Sequence, residues 1–372
     1  MDFKSVENAF EEALIRGVFP GCVLLVGRGD VVVYERAFGV RSLVPTMGHM
    51  AMHTIFDLAS LTKPLATSVA MMLLVSEQKI NLDDPVIKFC PGFGVFGKEA
   101  ITLRHLLNHS SGLPHWKPYY EDVLNREKDG QSNFVASRGA KEYVLNRIHV
   151  ERPLAPAGVQ GVYSDLGFMI LGEIVEAVSG STLDRFCEDK IFKPLGLKDM
   201  YFVDLTRSKA QSAGETIAPT EDCPWRKRVL CGEVHDDNAY VMGGVAGHAG
   251  LFSSARDVHQ LLIRLSGCFH GTHPFLSQKL LQEFLTKDTS VKSSTYALGW
   301  DTPSADGSSS GRYFSLHSVG HLGFTGTSIW WDLERDCHVV LLSNRVHPTR
   351  KNDKLKEFRP YIHDLIMTTL KP

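Results

Sequence analysis

The sequence lacks most of the features that place a protein in a class at first reading. No continuous run approaches the roughly 18–20 apolar residues that cross a bilayer, so no membrane span is expected. The N-terminal stretch MDFKSVENAFEEALIRG carries acidic residues and no continuous apolar centre. It does not read as a secretory signal, and a cytoplasmic location is expected. Charge of either sign is not in excess: 40 Lys and Arg face 42 Asp and Glu, a net charge of −2. That balance gives no basic stripe for nucleic acid, and none is expected as a partner. Cysteine is sparse, at positions 22, 90, 187, 223, 231, 268 and 337, with no C-x-x-C pair and no tight Cys/His pattern. An odd count without pairing motifs reads as reduced core thiols in a reducing compartment. A G-x-S-x-G elbow at a strand-to-helix turn is also missing, since that spacing occurs only in the Gly/Ser-rich stretch Gly307–Gly311, which argues against an α/β-hydrolase triad. Internal repeats and low-complexity tracts are absent.

What is present is an ordinary globular composition, 43% hydrophobic and 22% charged over 372 residues. That length suits one large domain or two interleaved ones. Phe3, Val6, Phe10 and Ala13 or Leu14 mark a first helix with one buried face. CVLLVGR and VVVYERAF flank Arg28-Gly29-Asp30 and predict a β-hairpin. Helical pattern fills most of residues 100–200, in ITLRHLLNH, around 121–147, and in LGFMILGEIVEAVSG and TLDRFCEDKIF. It returns at ARDVHQLLIRL. Strands are expected after 295, at YALGWD, SIWWDLE and CHVVLLSN, the last two forming a hairpin. PSADGSSSG at 303–311 reads as a flexible loop, and a last helix at about 351–370 closes the chain. The fold class is therefore α+β: an antiparallel sheet flanked by helices, with an inserted mainly helical region. Residues 1–58 and 240–372 are assigned to the sheet domain and 59–239 to the insert.

Chemistry concentrates at Ser60-Leu61-Thr62-Lys63. Residues three apart share a helix face, so Lys63 reaches the Ser60 hydroxyl. Serine is a weak nucleophile until a base takes its proton, and a buried lysine can be that base when neutral. From Leu65 to Val75 the segment is apolar almost all round, which places it in the interior. Pro64, which lacks an N–H, fits only the first turn and so sets the helix start near Ser60. A helix N-terminus there favours an oxyanion beside the hydroxyl.

FDLASLTKPLATSVAMMLLVSEQKINLDDPV resembles the nucleophile segment of serine β-lactamases, particularly class C, and of related penicillin-binding DD-peptidases and esterases. ITLRHLLNHSSGLP is similar to the helix and loop that follow it. Tyr163-Ser164-Asp165 resembles the family's Tyr-x-Asn motif. His321-Leu322-Gly323 stands where the family carries Lys-Thr-Gly or His-x-Gly. The four matches keep the family's order. The resemblance implies a β-lactamase/transpeptidase-like fold, acylation of Ser60, proton handling by Lys63 and Tyr163, and an oxyanion hole from the N–H groups of Ser60 and Phe324. It implies that Asp165, His321 and Gly323 line the substrate site.

Two departures matter. Asp165 replaces an asparagine, and an ionised carboxylate only accepts hydrogen bonds where an amide also donates. Asp165 also offers Lys63 a counter-charge, which would favour the protonated amine. His321 replaces a lysine, and neutral imidazole is a poorer anchor for a substrate carboxylate. Both shift the expectation from efficient β-lactam hydrolysis towards ester or peptide-like amide substrates. In GEVHDDNAYVMGGVAGHAGLFS (232–253), His235, Asp236, Asp237, Asn238 and His248 match no firm metal spacing. They read instead as hydrogen-bonding residues at the rim of the cleft. His105 and His109 lie four apart without the glutamate of H-E-x-x-H and read as structural. The expected function is a serine hydrolase forming a Ser60 acyl-enzyme on ester or amide substrates, whether peptide-like, D-amino-acid or β-lactam-like. No metal or cofactor is expected, and the partner is a small molecule or short peptide. Alternatives are a catalytically silent ligand-binding protein on the same fold, a DD-carboxypeptidase, or a true β-lactamase.

Overall fold

The structure, a computed structural model, describes residues 1–207, 216–292 and 294–370. Its framework is a six-stranded antiparallel sheet built from both chain ends. The strands are β1 (Gly21–Arg28), β2 (Val31–Ser42), β3 (Gly48–His49), β4 (Ser318–Leu322), β5 (Ser328–Asp332) and β6 (Cys337–Ser343), in the spatial order β3-β2-β1-β6-β5-β4. Seven aligned pairs, from Cys22 with Ser343 to Arg28 with Cys337, join the first strand to the last.

The period of two explains why β1, β5 and β6 are buried along nearly their whole length. Both faces of the sheet are covered there, so neither alternate set can be mostly polar. On one face Cys22, Leu24, Val26, Val339 and Leu341 pack with helices α1 (Lys4–Ile15) and α5 (Leu355–Leu370), where Phe10, Phe19 and Phe358 meet edge to face. On the other, Val23, Leu25, Ile329, Trp331, Val340 and Leu342 join the main core. That core also takes in α2 (Ser68–Ser76), α3 (Asp165–Ser179) and α4 (Ala255–Phe269).

The expected hairpins at 28–30 and between β5 and β6 are present. YALGWD is not a strand. It contributes only isolated bridges, Tyr296 with Asp301 and Asp301 with Gly320. Gly299 in that stretch has φ +85°, outside extended geometry, and its backbone passes too close to Ser68 for a side chain. The segment Ala59–Ser76 has the length and hydropathy of a membrane span, contrary to the sequence reading. Because 78% of it is buried inside the protein, it is a core helix here. All seven cysteines are free thiols.

Candidate active site

Ser60 sits in a one-turn 3₁₀ segment, Ala59–Leu61, followed by a π-type turn, Lys63–Thr67, and then α2. Pro64 has no N–H to return to the carbonyl of Ser60, so an ordinary α-turn cannot form there. Such π-turns recur at functional sites. Ala59, just before the serine, is held at φ +48°, a left-handed conformation that alanine resists. The clamp is Asp57, whose carboxylate accepts from the N–H of Ala59 (2.8 Å) and of His235 (2.6 Å). Thr62 adds a bond to the Ala59 carbonyl (2.6 Å) and accepts from the N–H of Leu251.

Lys63 lies beneath Ser60, fully buried. Its Nζ donates to Ser60 Oγ (3.1 Å) and to the His248 carbonyl (3.1 Å), and contacts Asp165 Oδ1 at 2.6 Å. Burial pulls the lysine pKa below its ordinary value, and the Asp165 carboxylate opposes that pull. The ammonium also lies over the Tyr163 ring, 4.8 Å from its centroid. Burial first, and Asp165 second, push the Tyr163 phenol well above its usual range, while its hydrogen bond with Ser60 acts the other way. Tyr163 is therefore a neutral phenol at neutral pH.

Tyr163 and Asp165 are positioned by the N-terminus of α3. Ser164 caps the helix, its hydroxyl accepting from the N–H of Gly167 (3.3 Å) and donating to the Pro114 carbonyl (2.7 Å). His115 Nδ1 donates to the Tyr163 carbonyl (2.7 Å), and the Asp165 N–H returns a bond to the His115 carbonyl (3.0 Å). The pair His105 and His109 does not share a helix. The helix Leu103–Leu107 ends before His109, which has φ +58° and turns inward. The His109 ring packs 4.7 Å from Tyr163, and its Nδ1 accepts from the Ser164 N–H (3.1 Å). Burial, then the neighbouring Lys63, hold His109 far below the usual imidazole range, so it is neutral. The sequence pattern reads His109 as structural, and the Ser111-Gly112 pair just after it is the local signal that the helix breaks there.

The third wall is the end of β4 and the turn after it. His321 is buried, and its ring lies 5.8 Å from Tyr163. Its Nδ1 donates to the Leu322 carbonyl (2.9 Å), which leaves Nε2 as an acceptor. Burial pulls its pKa down to about 3, so it carries no charge at neutral pH. Gly323 cannot be replaced in place: a Cβ would stand 2.0 Å from Thr327 Oγ1 and 2.5 Å from the Leu58 carbonyl. That close approach exists because Thr325 and Thr327 donate to the carbonyls of Asp57 (2.8 Å) and Leu58 (3.0 Å). Two hydroxyls thus staple the Phe324 turn to the chain just before Ser60. The Phe324 ring stacks on His235 at 5.6 Å and under the Arg345 guanidinium at 4.6 Å, and its carbonyl accepts from Arg345 Nε (2.9 Å).

The 232–253 segment is tied by hydrogen bonds. His248 Nε2 meets Asp236 Oδ1 at 2.9 Å, Arg350 meets Asp237 at 2.9 Å, and the Asn238 amide bridges Lys117 and Tyr120. Desolvation would raise the Asp236 carboxyl, but His248 and the Ala239 N–H outweigh it and hold it well below the carboxylate range. Ligating atoms gather instead at Cys90, His149 and Glu173, within 4.8 Å of one another and away from this cleft. There His149 and Glu173 already bond each other at 2.8 Å.

Ser60, Tyr163, Asp165, His321, Gly323 and Phe324 all border a single cleft of about 590 Å³, with Lys63 under its floor. The arrangement can hold a carbonyl carbon against Ser60, its oxygen towards the Ser60 and Phe324 backbone, and a proton among Lys63, Asp165 and Tyr163. The family profile described as Beta-lactamase matches residues 6–361. A putative D-alanyl-D-alanine carboxypeptidase of Escherichia coli K12 is 33% identical over 363 residues, covering 88% of this chain and 79% of that protein. An N-acetylmuramyl-L-alanine amidase of Bacillus subtilis 168 is 34% identical over 371 residues, covering 92% and 81%. The octameric penicillin-binding protein homologue of Pyrococcus abyssi superposes with a TM-score of 0.75 at 24% identity, covering 99% of this chain and 78% of that one. The chain belongs to the Beta-lactamase family and has its β-lactamase/transpeptidase-like fold.

Proposed function

We propose that this protein is a serine hydrolase that cleaves amide or ester bonds of small peptide-like substrates through an acyl-enzyme on Ser60. One observation carries the reading: Lys63 Nζ lies 3.1 Å from Ser60 Oγ at the base of the cleft, with Tyr163 over it. In this reading Ser60 Oγ bonds to the substrate carbonyl carbon as its proton passes to Lys63. The N–H groups of Ser60 and Phe324 receive the oxyanion. The proton then goes to the leaving amine or alcohol, by way of Tyr163 or Lys63, as the scissile bond breaks. Water attacks the Ser60 ester by the reverse path and releases the acid.

Asp165 gives this site a distinctive proton balance. Burial favours the Lys63 amine that can accept the Ser60 proton, and the Asp165 charge 2.6 Å away favours the ammonium. Two relatives, the carboxypeptidase and the amidase, bear names that specify amide bonds next to alanine. Amides therefore rank first among the substrates to be tried. A second reading, a ligand-binding protein without turnover, draws support from the 2.6 Å contact between Lys63 and Asp165, which favours the ammonium.

The test is exposure of folded protein to a fluorophosphonate and to a penicillin, followed by peptide mass mapping. A covalent adduct on Ser60 is expected. Its absence with both reagents would remove the enzyme reading. A panel of D-alanyl-D-alanine peptides, an N-acetylmuramyl-alanine amide, p-nitrophenyl esters and a chromogenic cephalosporin then ranks the substrates, with amides expected first.

A further inference from the structure

Away from the cleft, three segments far apart in the sequence bring ligating atoms together. Cys90 precedes the one-turn 3₁₀ segment Pro91–Phe93, His149 ends the helix Arg138–His149, and Glu173 lies on α3. Cys90 Sγ, an imidazole nitrogen of His149 and a carboxylate oxygen of Glu173 all lie within 4.8 Å of one another. None of the three residues borders the cleft. The backbone builds this closeness. Gly92 passes the imidazole so tightly that a Cβ there would stand 3.2 Å from His149 Nδ1. Lys98 Nζ holds the His149 carbonyl at 2.7 Å, which fixes the point from which the ring extends.

The donor set is selective. Thiolate sulfur, imidazole nitrogen and carboxylate oxygen are together the ligands of zinc and similar borderline divalent ions, whereas calcium and magnesium take oxygen. The spacing suits such an ion. Bonds of about 2.0–2.3 Å to one centre put tetrahedral ligands about 3.5 Å apart and never beyond about 4.6 Å. His149 Nε2 and Glu173 Oε2, now 2.8 Å apart, would separate by roughly half an ångström. Glu173 has the freedom to do so, since 23% of its side chain is exposed, and that opening leaves a fourth position to water. Lys98 gives its hydrogens to the carbonyls of Ile148, His149 and Glu151 and not to Glu173. One thiolate and one carboxylate cancel the two charges of the ion, so the half-buried site takes on no net charge.

We infer that Cys90, His149 and Glu173 form a site for one zinc-like divalent ion, which clamps the Pro91–Phe93 turn and the end of the helix Arg138–His149 onto α3. Binding forms a sulfur–metal bond as the Cys90 thiol gives its proton to solvent, and no electron changes hands. His149 ligates through Nε2 as the neutral tautomer with its proton on Nδ1. Glu173 lies about two turns along α3 from Asp165, so the clamp braces the helix whose start positions Tyr163 and Asp165. The site does not depend on the chemistry of Ser60. The rival account is a closed hydrogen-bond triad, in which Glu173 accepts from His149 and from Cys90 and takes no ion.

The test uses the full chain, kept reduced with a phosphine and stripped of metal by a chelator that is then removed. Cobalt(II) titrated into it should produce a near-ultraviolet thiolate-to-metal band and the visible bands of a tetrahedral centre, saturating at one equivalent. Zinc should abolish these bands by displacing cobalt, and should raise the Tm by about 2–4 °C at a hundredfold excess over Kd. Cys90→Ser should remove the thiolate band, and Glu173→Gln should weaken zinc binding by about 10-fold or more. A thiolate band that survives in Cys90→Ser would place the ion on another of the free thiols and overturn the inference. No band and no Tm shift in the wild type would leave the hydrogen-bond triad in its place. An equal Tm rise with magnesium would overturn the stated class of ion. Should the variants not fold, X-ray absorption of the zinc-loaded wild type decides. One sulfur at about 2.3 Å with nitrogen and oxygen at about 2.0–2.2 Å sustains the site, whereas a shell with no sulfur, or with two or more, overturns it.

Discussion

Two lysines of this protein, Lys63 and Lys98, are completely buried, and their surroundings differ in a way that separates chemistry from architecture. Lys98 gives its hydrogens to three backbone carbonyls, those of Ile148 (3.4 Å), His149 (2.7 Å) and Glu151 (2.7 Å), and rests 4.6 Å from the Phe93 ring. Every partner is an amide oxygen that cannot react, so the ammonium works as a cross-link holding the end of the helix Arg138–His149. Lys63 divides its hydrogens among a carbonyl, a carboxylate and a hydroxyl on a solvent-facing cleft. Only the second set contains an atom that gains nucleophilicity by losing a proton. Burial of a lysine is thus no signature of function by itself. The partner list is.

The comparison breaks most sharply at Ser60. Ser60→Ala is expected to lower kcat by about 10⁴- to 10⁶-fold, the scale of losing a nucleophile. The Tm should be nearly unchanged, because the hydroxyl is replaced without opening a cavity. Activity retained in that variant would mean that a different serine is acylated. Next in size is the exchange of lysines. Lys63→Met should cut kcat by about 10²- to 10⁴-fold, the usual worth of a general base. Lys98→Met should leave kcat close to wild type but lose about 1–3 kcal/mol of unfolding free energy, since buried carbonyls would be left without donors. Chemical denaturation and steady-state kinetics on the same two proteins read both effects. Equal activity losses would erase the distinction drawn here.

The sequence disclosed the local half of this site and concealed the distant half. Ser60, Lys63 and Pro64 are legible because helix spacing and proline chemistry act within one turn, and α3 was legible from its apolar period. The sheet was legible in β1, β5 and β6, where β-rich runs abut obvious turns. The 295–300 stretch failed because its apolar residues are buried by packing on α2 rather than by pairing in a ladder, and composition does not distinguish the two. His109 was misplaced because a helix was extended two residues past its end. Asp57 gave no signal at all. It matters through a bond to residue 235. Such relations are set by tertiary closure, which no short window records.

Asp165 provides a smaller and more discriminating contrast. Its charge raises the Lys63 pKa against the lowering by burial, so removing it lets burial prevail. Asp165→Asn is therefore expected to move the acid limb of the kcat/KM–pH profile to lower pH, because Lys63 loses its proton more readily without the carboxylate. Lys63→Met should have no such limb to shift. An acid limb that stays in place in Asp165→Asn would assign the titration to another group and remove Asp165 from the proton balance.

The smallest effect concerns stability, and it distinguishes Lys98 without touching activity. Burial lowers the Lys98 pKa from 10.5 to about 8 in the folded protein. Between those values the unfolded chain still holds the proton that the folded chain has released, so unfolding takes up protons and stability from this group rises with pH. Below about pH 8 both states are protonated and the group contributes no slope. Wild type should consequently gain on Lys98→Met as pH increases from about 8 towards 10.5, measured as the difference in unfolding free energy at each pH. A difference that is flat across that window would mean that the three carbonyls hold the ammonium as well as water does, and that Lys98 is a cross-link without a desolvation penalty.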